Sequence, residues 1–289
     1  MSRTSEDLNA ANAGTISLGD LTVNRLGFGA MRITGEGIWG EPKDPAEAKR
    51  VLKRAVELGV NLIDTADSYG PEVSERLIGE ALAPYKRGLV IATKGGYTRQ
   101  GPNQWKPNIR PKHLREALEG SLERLKLHRI DVYQLHNTGN GTVKLADAIG
   151  ELAIMQSEGK IRHIGVSNFS VAQLNEACSL VNVVSVQNRY NLADRASEAV
   201  LRECEKLNIP FLPWAPLGKS NSAATAALAN VAKRHGATTG QIAIAALLAH
   251  SPMMLPIPGT SRVAHLEQNV AAAAIELTDE DRKELSLTA

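Results

Sequence analysis

Little cysteine, no long apolar run and no dominant charge set the first bounds on this chain of 289 residues. Its two cysteines, Cys178 and Cys204, lie in stretches that read as amphipathic helix and lack metal-ligand spacing. That excludes a disulfide framework and a cysteine zinc site, and suits a reducing compartment. No stretch approaches the roughly 18 apolar residues of a membrane span. Residues 1–14 are small and polar without an apolar core, so they read as a flexible leader, and a cytoplasmic location with no membrane partner is expected. Thirty-three Lys and Arg against 31 Asp and Glu leave a net charge of +2, with no block of either sign. Such scatter leaves no footprint for nucleic acid and favours a neutral or mildly anionic small molecule. No Gly-x-Gly-x-x-Gly follows a strand, so a Rossmann dinucleotide domain is not indicated. A metal-dependent hydrolase would need clustered ligands at strand ends, where only His136 and Asp64 qualify, so no metal is expected.

What is present is repetition. Thr15-Ile-Ser-Leu-Gly-Asp-Leu-Thr-Val23 alternates apolar and polar around a Gly-Asp turn and predicts a β-hairpin, placed to plug the lower end of a barrel. From Leu26 onward a strand, loop and helix recur eight times. The strands read as 26–30, 60–65, 89–93, 130–136, 161–166, 183–187, 209–214 and 253–257. Apolar residues at helical spacing come after them over 44–59, 72–82, 111–127, 145–159, 171–180, 196–207, 239–249 and 263–274. Asp44-Pro45 caps and opens the first helix, and Gly59 ends it. Extra helices are expected over 223–234 and 278–285. Eight βα units within 15–289 fit one (β/α)8 TIM barrel of the usual ~250 residues, with no linker between domains. The longest connection on the catalytic side, 95–110, exceeds an ordinary loop and reads as functional.

Four residues stand at or just beyond strand ends: Asp64, Tyr69, Lys94 and His136. A barrel gathers strand ends on one face, where its chemistry takes place. Tyr69 lies five positions past Asp64 and can turn back over the barrel mouth toward Lys94. A nearby ammonium favours phenolate and would draw the phenol down from its ordinary pKa of about 10, while Asp64 holds that ammonium ionised. His136 supplies a second group for an oxygen that gains charge. A phenol, a fixed cation and a neutral donor, with no nucleophile or metal set, suit protonation of a carbonyl oxygen while a cofactor delivers hydride to its carbon.

The chain resembles the aldo-keto reductases over nearly its whole length, through Leu26-Gly-Phe-Gly, Asp64-Thr-Ala-Asp-Ser-Tyr69, Lys94, Leu135-His136, Gly165-Val-Ser-Asn168, Gln187, Pro216-Leu-Gly218, Ile257-Pro-Gly-Thr260 and Asn269. The resemblance implies Tyr69 as general acid, Lys94 and Asp64 as its tuning pair, and His136 as orienter of the carbonyl. It implies NADPH as cofactor, with NADH possible. Ser167, Asn168 and Gln187 match positions that bind the nicotinamide carboxamide, and Trp214 a ring stacked on it. Pro216, Leu217, Gly218 and Lys219 would wrap the pyrophosphate. Gly259, Thr260, Ser261 and Arg262 open a helix as an anion site, with Arg262 reading the 2′-phosphate. Glu267 and Asn269 match positions near the adenine. The pattern departs from some branches at Gly259, where they carry lysine, and at His265, where they carry arginine.

Met31, Trp39, Tyr97 and Trp105 would wall the substrate pocket, an aromatic set suited to a flat, ring-bearing aldehyde or ketone. All three tryptophans fall on this side. The runs Glu36-Gly-Ile-Trp-Gly, Gln187-Asn-Arg-Tyr-Asn191 and Ile257-Pro-Gly-Thr-Ser-Arg-Val-Ala-His-Leu266 look similar to bacterial pyridoxal reductase relatives, which makes pyridoxal a candidate beside a general reductase of reactive aldehydes, ketones or sugar-derived carbonyls. The competing reading is a cofactor-binding, redox-sensing barrel with negligible turnover. Substrate, direction and oligomeric state are left open.

Overall fold

The structure is a computed structural model that describes residues 8–218 and 223–287. In chain order its elements are β1 (Thr15–Leu18), β2 (Leu21–Asn24), β3 (Phe28–Gly29), α1 (Pro45–Glu57), β4 (Leu62–Asp64), α2 (Val73–Leu82), β5 (Val90–Gly95), β6 (Tyr97–Gly101) and β7 (Gln104–Pro107). Next come α3 (Pro111–Leu125), β8 (Ile130–Leu135), α4 (Leu145–Ser157), β9 (Ile161–Ser167), α5 (Val171–Leu180), β10 (Val183–Arg189), α6 (Glu198–Leu207) and β11 (Phe211–Trp214). The chain continues through α7 (Ala223–His235), α8 (Thr239–His250), α9 (Val263–Ala271) and α10 (Asp279–Glu284). Among the described residues no helix is long and apolar enough to cross a membrane.

Seven strands form one parallel sheet in the order β11, β10, β9, β8, β5, β4, β3. The eighth expected strand, 253–257, is not a full strand. Met254 bridges Phe211, the Phe211 N–H donates to the Met253 carbonyl (2.8 Å), and the Leu255 N–H to the Phe211 carbonyl (2.9 Å). On its other side the Gly27 N–H donates to the Pro256 carbonyl (3.0 Å). This segment therefore closes the (β/α)8 barrel between β11 and β3. Pro256 has no N–H to donate, and the flanking Pro252 and Pro258 likewise interrupt a ladder.

Alternation along the strands sorts the interior. Leu62, Val90, Ala92, Val132, Val184, Leu212, Leu255 and Ile257 form the apolar barrel core, sealed by Leu18 and Val23 of the β1–β2 hairpin. The hairpin is thus the plug the alternating sequence predicts, and Asp20 in its turn pairs with Arg162 (2.7 Å). Two residues further along the same strands the inward positions become Asp64, Lys94 and Gln134, all buried. Outward residues such as Ile63, Ile91, Tyr133, Ile164 and Val166 pack under the helices.

Two expectations change. Segment 95–110 is a β-hairpin, not an irregular loop: β6 pairs antiparallel with β7 around Pro102-Asn103, and Asn103 takes a left-handed φ of 56°. Asparagine tolerates that conformation, and Tyr97, Thr98 and Trp105 favour strand, so the sequence carried signals that its length concealed. Residues 8–14 do not form a free leader. The Ala10 N–H donates to the Leu58 carbonyl (2.8 Å), Ala10 is fully buried, and the Asn9 side chain caps the Ala10–Ala13 turn. Residues 1–7 lie outside the described ones.

Candidate active site

Because β4, β5 and β8 are adjacent and parallel, their C-terminal ends place Asp64, Lys94 and His136 side by side. Lys94 Nζ donates to Asp64 Oδ2 (2.7 Å) and to the Thr65 carbonyl (2.7 Å), and lies 3.5 Å from the Tyr69 hydroxyl. Tyr69 reaches back from a turn in which its N–H donates to the Ala66 carbonyl (3.2 Å). The other carboxylate oxygen of Asp64, Oδ1, accepts from Gln134 Nε2 and Gln187 Nε2, each at 2.9 Å. Both carboxylate oxygens are therefore engaged, the condition under which a dry ion pair holds its geometry.

Burial works against the Lys94 charge, but Asp64 and Tyr69 outweigh it and hold the ammonium above its ordinary value. Burial likewise pushes the Tyr69 phenol up, and Lys94 only partly counters this. The expected lowering of Tyr69 is thus reversed in the site as it stands, because desolvation of a buried phenolate exceeds the pull of one ammonium already shared with Asp64. The correction leaves Tyr69 firmly protonated, the state an acid needs before it acts. Burial, with Lys94 beside it, holds His136 well below the ordinary imidazole range, so its ring is neutral. Its Nδ1 is buried with no hydrogen-bond partner among the described residues.

A ring cluster and a cleft meet at Tyr69. On one side the rings of Tyr69, Tyr97, Trp105 and His136 pack edge to face: Tyr97 to His136 at 4.8 Å, Tyr97 to Trp105 at 5.6 Å, Tyr69 to His136 at 5.9 Å and Tyr69 to Trp105 at 6.2 Å between centroids. On the other side a cleft of about 290 Å³ runs from Asp64, Tyr69 and Gln187 past Trp214, Pro216, Leu217 and Gly218 to Gly259. Its walls are mainly flat and apolar, Trp214 and Ile257-Pro258, with Gln187 offering an amide at the Tyr69 end. That lining fits a planar ring bearing a primary amide.

The other expected cofactor residues are spread more widely. Ser167 is buried, and its Oγ accepts from Asn168 Nδ2 (3.1 Å), which also reaches the His136 carbonyl (3.0 Å). Asn168 Oδ1 in turn accepts from Trp214 Nε1 (3.0 Å), so this amide stands behind the indole and braces it. Lys219 lies outside the described residues. Ser261 and Arg262 border a neighbouring cleft of about 1000 Å³ with Arg32, Lys43 and Glu47, and Met31 lines both clefts. Thr260 is buried, and its Oγ1 accepts from the Arg262 N–H (3.2 Å). The first amide of α9, on Val263, already donates to Glu47 Oε1 (3.0 Å). Glu267 pairs with Arg54 (2.8 Å), and Asn269 is buried.

Gly259 is where the pattern departs from lysine-bearing branches, and the reason is steric. A Cβ at 259 would sit 2.3 Å from the Gly29 carbonyl oxygen, where β3 meets the last loop.

Sequence reasoning missed three contributors. Gln134 precedes His136 by two on one strand, so alternation could have placed it beside Asp64. Glu47 reaches α9 from a remote helix and left no sequence signal. Arg99 sat inside what read as a loop; it stacks over Trp105 at 3.8 Å and lies 5.7 Å from the Trp39 ring, while the Trp39 backbone bridges Gly70.

The family model of the aldo/keto reductases matches residues 25–287. An uncharacterized oxidoreductase of Schizosaccharomyces pombe is 51% identical over 97% of this chain and 92% of its own. The pyridoxine 4-dehydrogenase of Escherichia coli is 41% identical, covering 93% of this chain and 96% of its own. The crystal structure of an aldo-keto reductase from Klebsiella pneumoniae in complex with NADPH is similar with a TM-score of 0.78 at 25% identity, over 92% of this chain and 90% of that one.

Proposed function

From a chain that belongs to the aldo/keto reductase family, and is thereby an NAD(P)H-dependent oxidoreductase, we propose NADPH-dependent reduction of a small aldehyde or ketone with Tyr69 as general acid. The observation that carries this is the dry line Asp64, Lys94, Tyr69 at the barrel mouth, with a flat-walled cleft ending at it. When bound, reduced nicotinamide supplies the hydride that no side chain can carry. Trp214 and Gln187 would hold the ring, Pro216 to Gly218 would follow the pyrophosphate, and Arg262 would meet the 2′-phosphate.

Tyr69 gives its phenolic proton to the carbonyl oxygen as that oxygen takes the electron pair of the C=O bond. Lys94, 3.5 Å from the hydroxyl and fixed by Asp64, then faces the phenolate and stabilises it where water cannot screen the charge. Neutral His136 orients the carbonyl by hydrogen bonding without competing as an acid. Solvent restores the proton to Tyr69 after the alcohol leaves.

Pyridoxal is the substrate we put forward. It is supported by the aromatic cluster of Tyr97, Trp105 and His136 beside Tyr69 and by the relative named for pyridoxine. The test is oxidation of NADPH and NADH against pyridoxal, aromatic aldehydes, dicarbonyls and sugars. Turnover with pyridoxal at a kcat/KM above that of the others supports the reading; no turnover with any carbonyl, despite tight NADPH binding, removes it.

A further inference from the structure

Arg99 is joined to its surroundings in an unusual way. A guanidinium has five N–H donors in a fixed plane, and this one directs all of its nitrogens at backbone carbonyls. Nε donates to Gln104 (2.9 Å), Nη1 to Ile38 (2.9 Å) and Ser68 (2.8 Å), and Nη2 to Gly37 (3.1 Å) and Gly101 (3.2 Å). Those acceptors belong to three separate segments: the β6–β7 hairpin, the loop after β3, and the turn that delivers Tyr69. The flat face of the group lies 3.8 Å from Trp105, whose indole meets Tyr69 edge to face. One further backbone bond, from the Asn103 N–H to the Gly37 carbonyl (2.9 Å), joins the hairpin tip to the same loop.

With its donors engaged, Arg99 has no hydrogen left for a substrate carboxylate or phosphate, so it is no anion receptor. A two-stranded hairpin, moreover, is at best marginally stable alone, so its position over the barrel mouth depends on what ties it down. We propose that Arg99 is a positioning residue that turns the β6–β7 hairpin from a free flap into a fixed wall, and that the aromatic face so fixed, with Trp105 and Tyr97 packed edge to face against His136, selects flat, ring-bearing carbonyl compounds over chain-like ones. The selectivity rests on the proposed reductase activity; the fixing of the wall does not. Lysine cannot replace it, because an ammonium has three donors and no plane to stack on an indole.

The experiment compares Arg99→Lys and Arg99→Met with the parent protein. Amide hydrogen exchange is measured across residues 97–107 without ligands, NADPH binding by fluorescence titration, and steady-state reduction with pyridoxal and with propanal. Exchange in 97–107 is expected to rise by about tenfold or more while the barrel strands stay protected. The Kd for NADPH stays within about twofold, KM for pyridoxal rises by about tenfold with little change in kcat, and KM for propanal is unmoved. Unchanged exchange in both variants overturns the proposal, as does an equal loss with the two aldehydes. If the parent reduces neither aldehyde, the reductase reading falls, and exchange alone decides whether Arg99 fixes the wall. Should Arg99→Met fail to fold, Arg99→Lys reads the same quantities.

Discussion

Lys94 Nζ lies 2.7 Å from Asp64 Oδ2 with both side chains almost wholly shielded from water. An ion pair so enclosed loses several kcal/mol when one member is removed, because the other is left charged and unpaired. Lys94→Met is therefore expected to abolish turnover and to lower the melting temperature. Tyr69→Phe should abolish turnover with little change in melting temperature or in NADPH Kd. Thermal denaturation, cofactor titration and initial rates on the two variants check this; equal stability loss in both would show that Lys94 does not depend on its partner.

The pH dependence is set by the directions of the shifts. Burial raises Tyr69 above the ordinary phenol value of about 10. A general acid works below its pKa, so the reduction rate should stay level from near neutrality to about pH 10 and fall only beyond it. The reverse oxidation needs the phenolate and should rise over the range where reduction falls. His136 is held well below the ordinary imidazole range, so it adds no inflection between about pH 6 and 8. Rates of chemistry in both directions, measured in single turnover, test the assignment; an inflection near pH ~6.5 that vanished in His136→Asn would reverse it.

Under the proposed function, Arg262 and Glu47 would act in opposite senses on the 2′-phosphate. Glu47 sets a carboxylate at the first amide of α9, beside the cleft that Arg262 borders. Arg262→Ala should weaken NADPH by about tenfold or more and NADH by much less. Glu47→Gln, which keeps the acceptor and removes the charge, should tighten NADPH several-fold relative to NADH. Paired titrations with the two cofactors decide it, and equal effects on both would mean that neither residue reads the extra phosphate.

Gly259→Lys offers a sharper test of local sterics. Related branches carry lysine at this position, yet here its Cβ would strike the Gly29 carbonyl oxygen at 2.3 Å. The substitution should lower the melting temperature and weaken NADPH, since the last loop must move away from β3 to admit it. A variant that bound NADPH more tightly at unchanged stability would show that the loop yields freely.

The hairpin plug makes a testable contribution to stability. Leu18 is 1% exposed and packs on the lower barrel core. Leu18→Ala should cost about 2–5 kcal/mol in urea unfolding, with kcat unchanged because the active site lies at the opposite end.

Much of this protein was written in local pattern. Alternation and helical spacing placed the βα units, Asp44-Pro45 and Gly59 bounded α1, and strand-end positions picked out Asp64, Lys94 and His136, since period and capping act over a few residues. What depends on distant segments meeting could not be read that way. The prolines at 252, 256 and 258 spoke against a full eighth strand, but that the Pro256 carbonyl closes the barrel onto Gly27 depends on a segment at the other end of the chain. The protonated state of Tyr69 reflects how completely the folded site excludes water, which no spacing encodes. Glu47 reaches α9 across 216 positions and Arg99 reaches Gly37 across 62, contacts that only closure of the barrel brings within hydrogen-bonding range. Period and propensity fixed where the candidate site stands; chain closure and desolvation decided its charge state, its walls and the residues that hold them.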